Sequence, residues 1–418
     1  MDILTIDGGV KLKGEITISG SKNAALPILI ATLLSDEACR IENVPYLDDI
    51  ETMIGLLVFL GKKIVREGNA VVITAGPTLY AEAPYELVRR MRASVVVMGP
   101  LLARLGQVKV SLPGGCAIGG RPINIHLDGF RSLGAEIVLE QGYVEMHAEH
   151  LRGAAIHFDF PSVGATENIM MAAALSEGTT VLNNVAMEPE IVDLANFLNT
   201  MGARIQGAGT ETISIEGVAK LHGADHTVIP DRIEAGTYLI AGAMGQGELI
   251  LHKMQPDHLV ALMAKLRQAG VEIEVESTSV RVKAPKNILP VDMETAVHPG
   301  FPTDLQAQWI ALMTLADGVS QVTERVFENR FMHVPELVRM GADIQIKGGN
   351  TAIIKGVSSL SGADIMVSDL RAGAALVLAG LAAQGKTTIH RVYHLDRGYE
   401  HIEDKLTKVG AHIKRSSE

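Results

Sequence analysis

The chain is poor in most of the residues that announce a function. It has two cysteines, Cys39 and Cys116, among 418 residues, which excludes a disulfide framework and suits a reducing compartment. Its 14 histidines form no HExxH pair, so no metal site is expected. There is no GK[ST] ending behind its glycine-rich segments, so a P-loop is unsupported. Basic charge is in deficit: the net charge is −11, which argues against general affinity for nucleic acid or acidic membranes but not against a small anion held in a local basic cleft. Aromatics are only 4%, and no basic-aromatic stripe exists on which bases would stack. Long apolar runs are missing too. Residues 24–34 are apolar, then Ser35, Asp36 and Glu37 follow; the run is too short for a bilayer and reads as a buried helix. The start, MDILTIDGG, is neither basic nor extended and apolar, so no secretory signal is expected and the chain reads as cytoplasmic. No cofactor, nucleic acid, membrane or obligate protein partner is called for.

What is present is repetition. A hydrophobic residue or Ala, then Gly, two variable residues and Ile recurs six times: LGKKI at Gly61, LGAEI at Gly134, MGARI at Gly202, AGVEI at Gly270, MGADI at Gly341 and VGAHI at Gly410. The steps are about 70 residues, so one supersecondary unit is used six times. In the fourth, RIEAGTYLIAGAM from Arg232 is apolar nearly all round, as in a helix buried on most faces. ELILH follows as a strand. Leu259, Leu262, Met263 and Leu266 then mark a half-exposed helix ended by Gly270, and EIEVE and SVRVKA alternate as strands. The unit is βαβαββ-like, with an inner and an outer helix. Inner helices are expected to start near Lys22, Arg92, Gly164, Arg232, Thr303 and Arg371.

The sixth unit stops short at KVGAHIKRSSE, while IDGGVKLKGEITISGSK near the start matches IEGVAKLHGADHTVIPDR and IKGVSSLSGADIMVSDLR. The N-terminal strands are therefore expected to complete the sixth unit. This gives one domain over 22–229 and a second made of 1–21 plus 230–418. Linkers fall near Ser21 and Pro230, and a cleft between domains is the default ligand site.

Departures from the repeat point to chemistry. LPGGCAIGGRP, residues 112–122, has no counterpart in other units. Its glycines permit strained backbone, and the Cys116 thiol stands five residues from Arg121, a setting that lowers a thiol pKa and readies it as acid, base or nucleophile. The plainer alternative is a structural Cys in a tight turn, which is the reading for Cys39 in the strand EACRIENV. Asp231 and Glu234 have capping-box spacing. Lys22, Arg92 and Arg371 are different: a cation at a helix start opposes the macrodipole unless an anion sits between. Arg330 and Arg397 are further candidates for carboxylate or phosphate. Asp304 is either a general base or the cap of FPTDLQAQ.

SKNA at Ser21, MRAS at Met91, PGGCAIGGRP at Pro113, SVGAT at Ser162, PDRIE at Pro230, FPTD at Phe301, ENRFMHVPEL at Glu328, DLRA at Asp369 and DRGYEHIEDKL at Asp396 together resemble the enolpyruvyl transferases over essentially the whole chain. The Cys loop sets the resemblance toward the branch acting on a UDP-sugar rather than on shikimate 3-phosphate. The resemblance implies an α/β fold: a two-domain inside-out α/β barrel of six βαβαββ repeats, three per domain, with helices inside and sheets outside. It implies transfer of the enolpyruvyl group of phosphoenolpyruvate to the 3-hydroxyl of UDP-N-acetylglucosamine with release of phosphate, the first committed step of peptidoglycan precursor synthesis. Carried over by position, Lys22, Asn23, Arg121 and Arg397 bind phosphoenolpyruvate. Arg92, Arg121, Pro122, Ile123, Asn124, Ile125, Ser162, Val163, Gly164, Asp304 and Val326 meet the UDP-sugar. Cys116 donates a proton to the methylene carbon, forms a covalent phospholactoyl adduct and is the target of the epoxide fosfomycin. Asp304 takes the hydroxyl proton, and Lys22 and Arg397 complete the catalytic set. Phe160 and Pro161 stand where some relatives have a Lys, and Asn124 where some have an acid. Two rivals remain: a non-catalytic nucleotide-sugar sensor on the same scaffold, and a transferase for shikimate 3-phosphate.

Overall fold

All six signature glycines lie in the left-handed region, with φ of 107°, 96°, 101°, 89°, 94° and 99° at Gly61, Gly134, Gly202, Gly270, Gly341 and Gly410. This explains why the motif recurs. Each ends an outer helix with a turn that a Cβ would strain, and the Ile three positions later lies inside the next strand. The computed structural model describes residues 2–89, 91–112 and 123–417.

The described chain forms two compact units. One, here the inserted unit, contains residues 20–112 and 123–229; the other, the split unit, contains 2–19 and 230–417. Each has its own hydrophobic core. Among the described residues there are six four-stranded sheets, three in each unit. Every sheet follows one plan: an edge strand pairs parallel with its neighbour, and the remaining pairings are antiparallel. In the split unit, for example, Lys13–Thr17 runs parallel to Glu248–His252, which pairs antiparallel with Ser279–Lys283. The register sets Leu249 opposite Val282 and Leu251 opposite Val280, all four buried. The alternate residues of Glu248–His252 remain partly solvated, as period-two patterning requires.

The inner helices are buried nearly all round. In Arg232–Met244 every residue after Arg232 is buried, and in Leu370–Ala382 the span from Arg371 to Leu381 is. Outer helices such as Val260–Gln268 bury only Leu262, Met263 and Leu266. Burying a Leu or Ile side chain contributes about 1.5–3 kcal/mol, so the inner helices carry most of the cohesion and the sheets form the outer wall. Inner helices start at Lys22, Arg92, Val163, Arg232, Thr303 and Leu370, each within one residue of the position read from sequence. The apolar run is the helix Lys22–Ala31 continued by a 3-10 turn, Thr32–Leu34. Cys39 is buried in a strand, and burial raises its thiol pKa.

Two expectations need correction. Asp2–Asp7 does complete the sixth sheet, between Lys386–His390 and His412–Ser417. Lys13–Thr17 instead joins the sheet of the fourth unit. The matching edge strand of the first unit is Asp225–Thr227, parallel to Cys39–Glu42. Asp231 caps its helix, accepting from Ile233 N and Glu234 N, but Glu234 closes no capping box. Its carboxylate binds Ser19 N at 2.7 Å and Lys405 Nζ at 2.6 Å. Among the described residues no helix is long and apolar enough to cross a membrane.

Candidate active site

In the inserted unit, Lys22 is the first residue of its helix and nearly buried. Ser21 Oγ caps that helix through Ala24 N at 3.3 Å. The cation at the positive helix end is balanced by a carboxylate, with Lys22 Nζ 3.1 Å from Asp49 Oδ2. Pro27 lies inside the same helix and brings no N–H to the carbonyl four residues back, that of Asn23. The expected donor-binding pair thus sits on a helix start whose regular ladder is interrupted.

Arg92 opens the inner 3-10 turn Arg92–Val97, Asn124 opens the helix Asn124–Ser132 behind Ile123, and Val163 opens Val163–Ala173. Ser162 caps the last through Ala165 N. These starts converge on a residue absent from the sequence reading, His126. Its ring lies in contact range of Gly164, where an added Cβ would meet Cε1 at 3.3 Å. Its Nδ1 is 3.0 Å from Asn168 Nδ2. Burial, reinforced by the charge of Arg92, lowers the His126 pKa to about 4. His126 is therefore a neutral imidazole among the positions expected to meet the UDP-sugar. Phe160 is exposed.

In the split unit, Asp304 lies in the 3-10 turn Thr303–Leu305. Two arginines hold it. Arg330 Nη2 donates to Oδ1 at 2.7 Å. Arg371 donates to Oδ2 from Nε at 3.1 Å, and its Nη2 stands at an ion-pair distance of 3.0 Å from the same oxygen. Burial alone would lower the Arg371 pKa, but the charges of Asp304 and Asp231 and the phenol of Tyr399 outweigh it and hold the guanidinium further above its usual value. The carboxylate keeps a 24% exposed edge, so a reactant has access to it.

Val326 is placed by another residue the sequence did not flag, Glu324. Glu324 Oε1 accepts from Val326 N at 2.7 Å and Phe327 N at 3.1 Å, while Oε2 accepts from Thr303 Oγ1 at 2.8 Å. One buried carboxylate thus ties the Val326 backbone to the turn that carries Asp304. Arg397 follows the 3-10 turn Val392–His394; after burial, its charge is the next cause of the lowered His394 pKa. Cys116, Arg121 and Pro122 lie outside the described residues.

Among the described residues no group of three or more His, Cys, Asp or Glu could hold a metal ion. Two His pairs do have a four-residue spacing, His222 with His226 and His390 with His394. His226 instead meets Asp193 at 2.9 Å, and His222 the carbonyl of Gly223.

The family model described as EPSP synthase (3-phosphoshikimate 1-carboxyvinyltransferase) matches residues 6–406. The UDP-N-acetylglucosamine 1-carboxyvinyltransferase of Endomicrobium trichonymphae is 57% identical over 415 residues, 99% of each chain. That of Geobacter metallireducens is 57% identical over 418 residues, the whole of both. The chain belongs to the enolpyruvyl transferases, in the UDP-N-acetylglucosamine 1-carboxyvinyltransferase branch. Among solved structures of the family, the enolpyruvyl transferase NikO from Streptomyces tendae superposes with a TM-score of 0.89 at 26% identity, covering 100% of this chain and 99% of its own. EPSP synthase from Acinetobacter baumannii gives 0.76 at 18% identity with full coverage of both, a likeness of fold alone. The six-sheet architecture is thus the inside-out α/β repeat fold expected for the family.

Proposed function

We propose that this chain transfers the enolpyruvyl group of phosphoenolpyruvate to the 3-hydroxyl of UDP-N-acetylglucosamine, releasing phosphate, as a step of peptidoglycan synthesis. The observation that carries the reading is identity of 57% along the whole length with transferases named for that acceptor. Both reactants are anions, matched by Lys22, Arg92, Arg121 and Arg397. In the addition step Asp304 takes the hydroxyl proton as the sugar oxygen bonds to C2 of phosphoenolpyruvate, and Cys116 gives a proton to C3. In the elimination step C3 loses a proton and the C2–O bond to phosphate breaks. Asn23 and Arg121 hold the donor, while residues 121–125, Ser162, Val163, Gly164 and Val326 hold the UDP-sugar. The two arginines on Asp304 favour this role by holding the carboxylate in one orientation in a largely buried setting. We place the reaction in the cytoplasm, since both substrates are polyanions for which crossing an apolar bilayer is costly.

Phosphate release with both substrates tests the proposal. Turnover with UDP-N-acetylglucosamine and none with shikimate 3-phosphate is expected. Tight binding of the nucleotide sugar without turnover establishes the sensor instead.

A further inference from the structure

The motif DRGYEHIEDKL contains a buried phenol that the proposed chemistry leaves unused. Tyr399 is 2% exposed, and its hydroxyl meets three side chains: Thr237 Oγ1 at 2.8 Å, Gln308 Nε2 at 3.2 Å and Arg371 Nη1 at 3.3 Å. Thr237 and Gln308 are wholly buried on the inner helices Arg232–Met244 and Gln306–Met313, and Arg371 is on the inner helix Leu370–Ala382. The proton directions follow from counting. Thr237 donates its single hydroxyl proton to Ile233 O, four residues back, at 2.8 Å. Tyr399 must then donate to Thr237 Oγ1. Gln308 Nε2 donates one proton to Thr237 at 3.2 Å and the other to Tyr399. The remaining lone pair of the phenol oxygen faces Arg371 Nη1. Every proton and lone pair of the two hydroxyls is thus assigned, and the chain of bonds runs in one direction from Arg371 through Tyr399 and Thr237 to a helix carbonyl.

The same guanidinium grips Asp304 from its other edge, through Nε and Nη2. A planar fork fixed on two edges can neither slide along the carboxylate nor turn about its own axis. Burial keeps the phenol protonated by raising its pKa, so it acts as an uncharged brace.

We propose that Tyr399 is a positioning residue for the transfer reaction: with Thr237 and Gln308 it fixes the outer edge of Arg371, and through Arg371 it aims the Asp304 carboxylate at the sugar hydroxyl. The inference rests on the reading of Asp304 as the base. Misplacing a reacting group by about 1 Å costs up to about a hundredfold in rate.

The test is steady-state kinetics of the full chain with phosphoenolpyruvate and UDP-N-acetylglucosamine. Tyr399→Phe is expected to lower kcat about tenfold, with both KM values within about twofold of the parent. Thr237→Val, nearly the same in shape, is expected to lower kcat as well, whereas Thr237→Ser, which keeps the acceptor, restores it. In an Arg371→Lys background Tyr399→Phe is expected to cost nothing more, because a lysine has no second edge to hold. Parental kcat in Tyr399→Phe overturns the proposal. So does an equal loss in both backgrounds, or activity that follows the melting temperature rather than the hydroxyl. Asp304→Asn separates the two layers. Full activity there removes the base and this inference with it; a dead Asp304→Asn beside a fully active Tyr399→Phe removes the inference alone.

Discussion

Asn168 decides which nitrogen of His126 carries the proton. Its Oδ1 accepts from Gly99 N at 2.6 Å, capping an inner helix from the side, so Nδ2 is the atom that points to Val95 O and to His126 Nδ1. The ring must then accept at Nδ1 and carry its proton at Nε2. A charged imidazolium would set N–H against N–H in a buried place.

Acid should therefore weaken the fold. The unfolded chain protonates this histidine near 6.5, and the folded chain near 4. Below about pH 6.5 the unfolded state binds more protons, so stability is complete above that pH and is lost as pH falls toward 4, by at most about 3 kcal/mol. Burial likewise lowers His333 to about 4, so it adds a similar loss over the same window. Thermal midpoints measured from pH 7.5 to 5 should fall in the parent and fall distinctly less in His126→Gln.

Lys405→Met should destabilise the split unit. It leaves Glu234 buried without the ammonium now 2.6 Å away and also strips Ser19 Oγ of a donor. Removing one partner of a buried pair costs about 3–5 kcal/mol. Adding Glu234→Gln should recover much of the lost melting temperature, because the unpaired charge disappears with it.

Gly99→Ala should be harmful although alanine favours helices. The added Cβ would stand 2.2 Å from the carbonyl oxygen of Asn168, and neither helix backbone yields cheaply. A loss of about 1–3 kcal/mol is expected, read as a lower melting temperature.

Cys116→Ala should slow phosphate release on the order of a hundredfold or more. Cys116→Asp can still deliver a proton, so measurable turnover is expected there. Time-dependent inactivation by a thiol-directed epoxide such as fosfomycin should vanish in both. Parental turnover in Cys116→Ala, or continued inactivation of either variant, would assign these roles to another residue.

What sequence revealed, and what it hid, divides by the reach of the interaction. The Gly61 to Gly410 series was legible because a left-handed backbone is a local demand that only certain residues meet. Inner helices were legible because their apolar residues occupy all faces. Lys13–Thr17 was misplaced because alternation shows that a strand exists, not which distant strand receives it. Glu234 has the spacing of a capping box, yet a lysine 171 positions away outcompetes the local bond. His126, Glu324 and Tyr399 escaped for a related reason. The visible signal was polar residues such as Thr237 and Gln308 inside apolar helices, which must find partners, but the partners come from other elements. Lys22 and Arg371 were flagged as cations needing an anion, and Asp49 and Asp304 stand beside them.

The pairing of Asp2–Asp7 with strands near residues 390 and 415 also orders events on the ribosome. Asp2–Asp7 cannot enter its sheet until strands roughly 400 residues further along the chain have emerged, tens of seconds later at about 5–20 residues per second. The inserted unit, whose pairing partners all lie within residues 39–227, is able to fold during that wait. That strand meanwhile remains an unpaired edge, open to mispairing with other nascent chains.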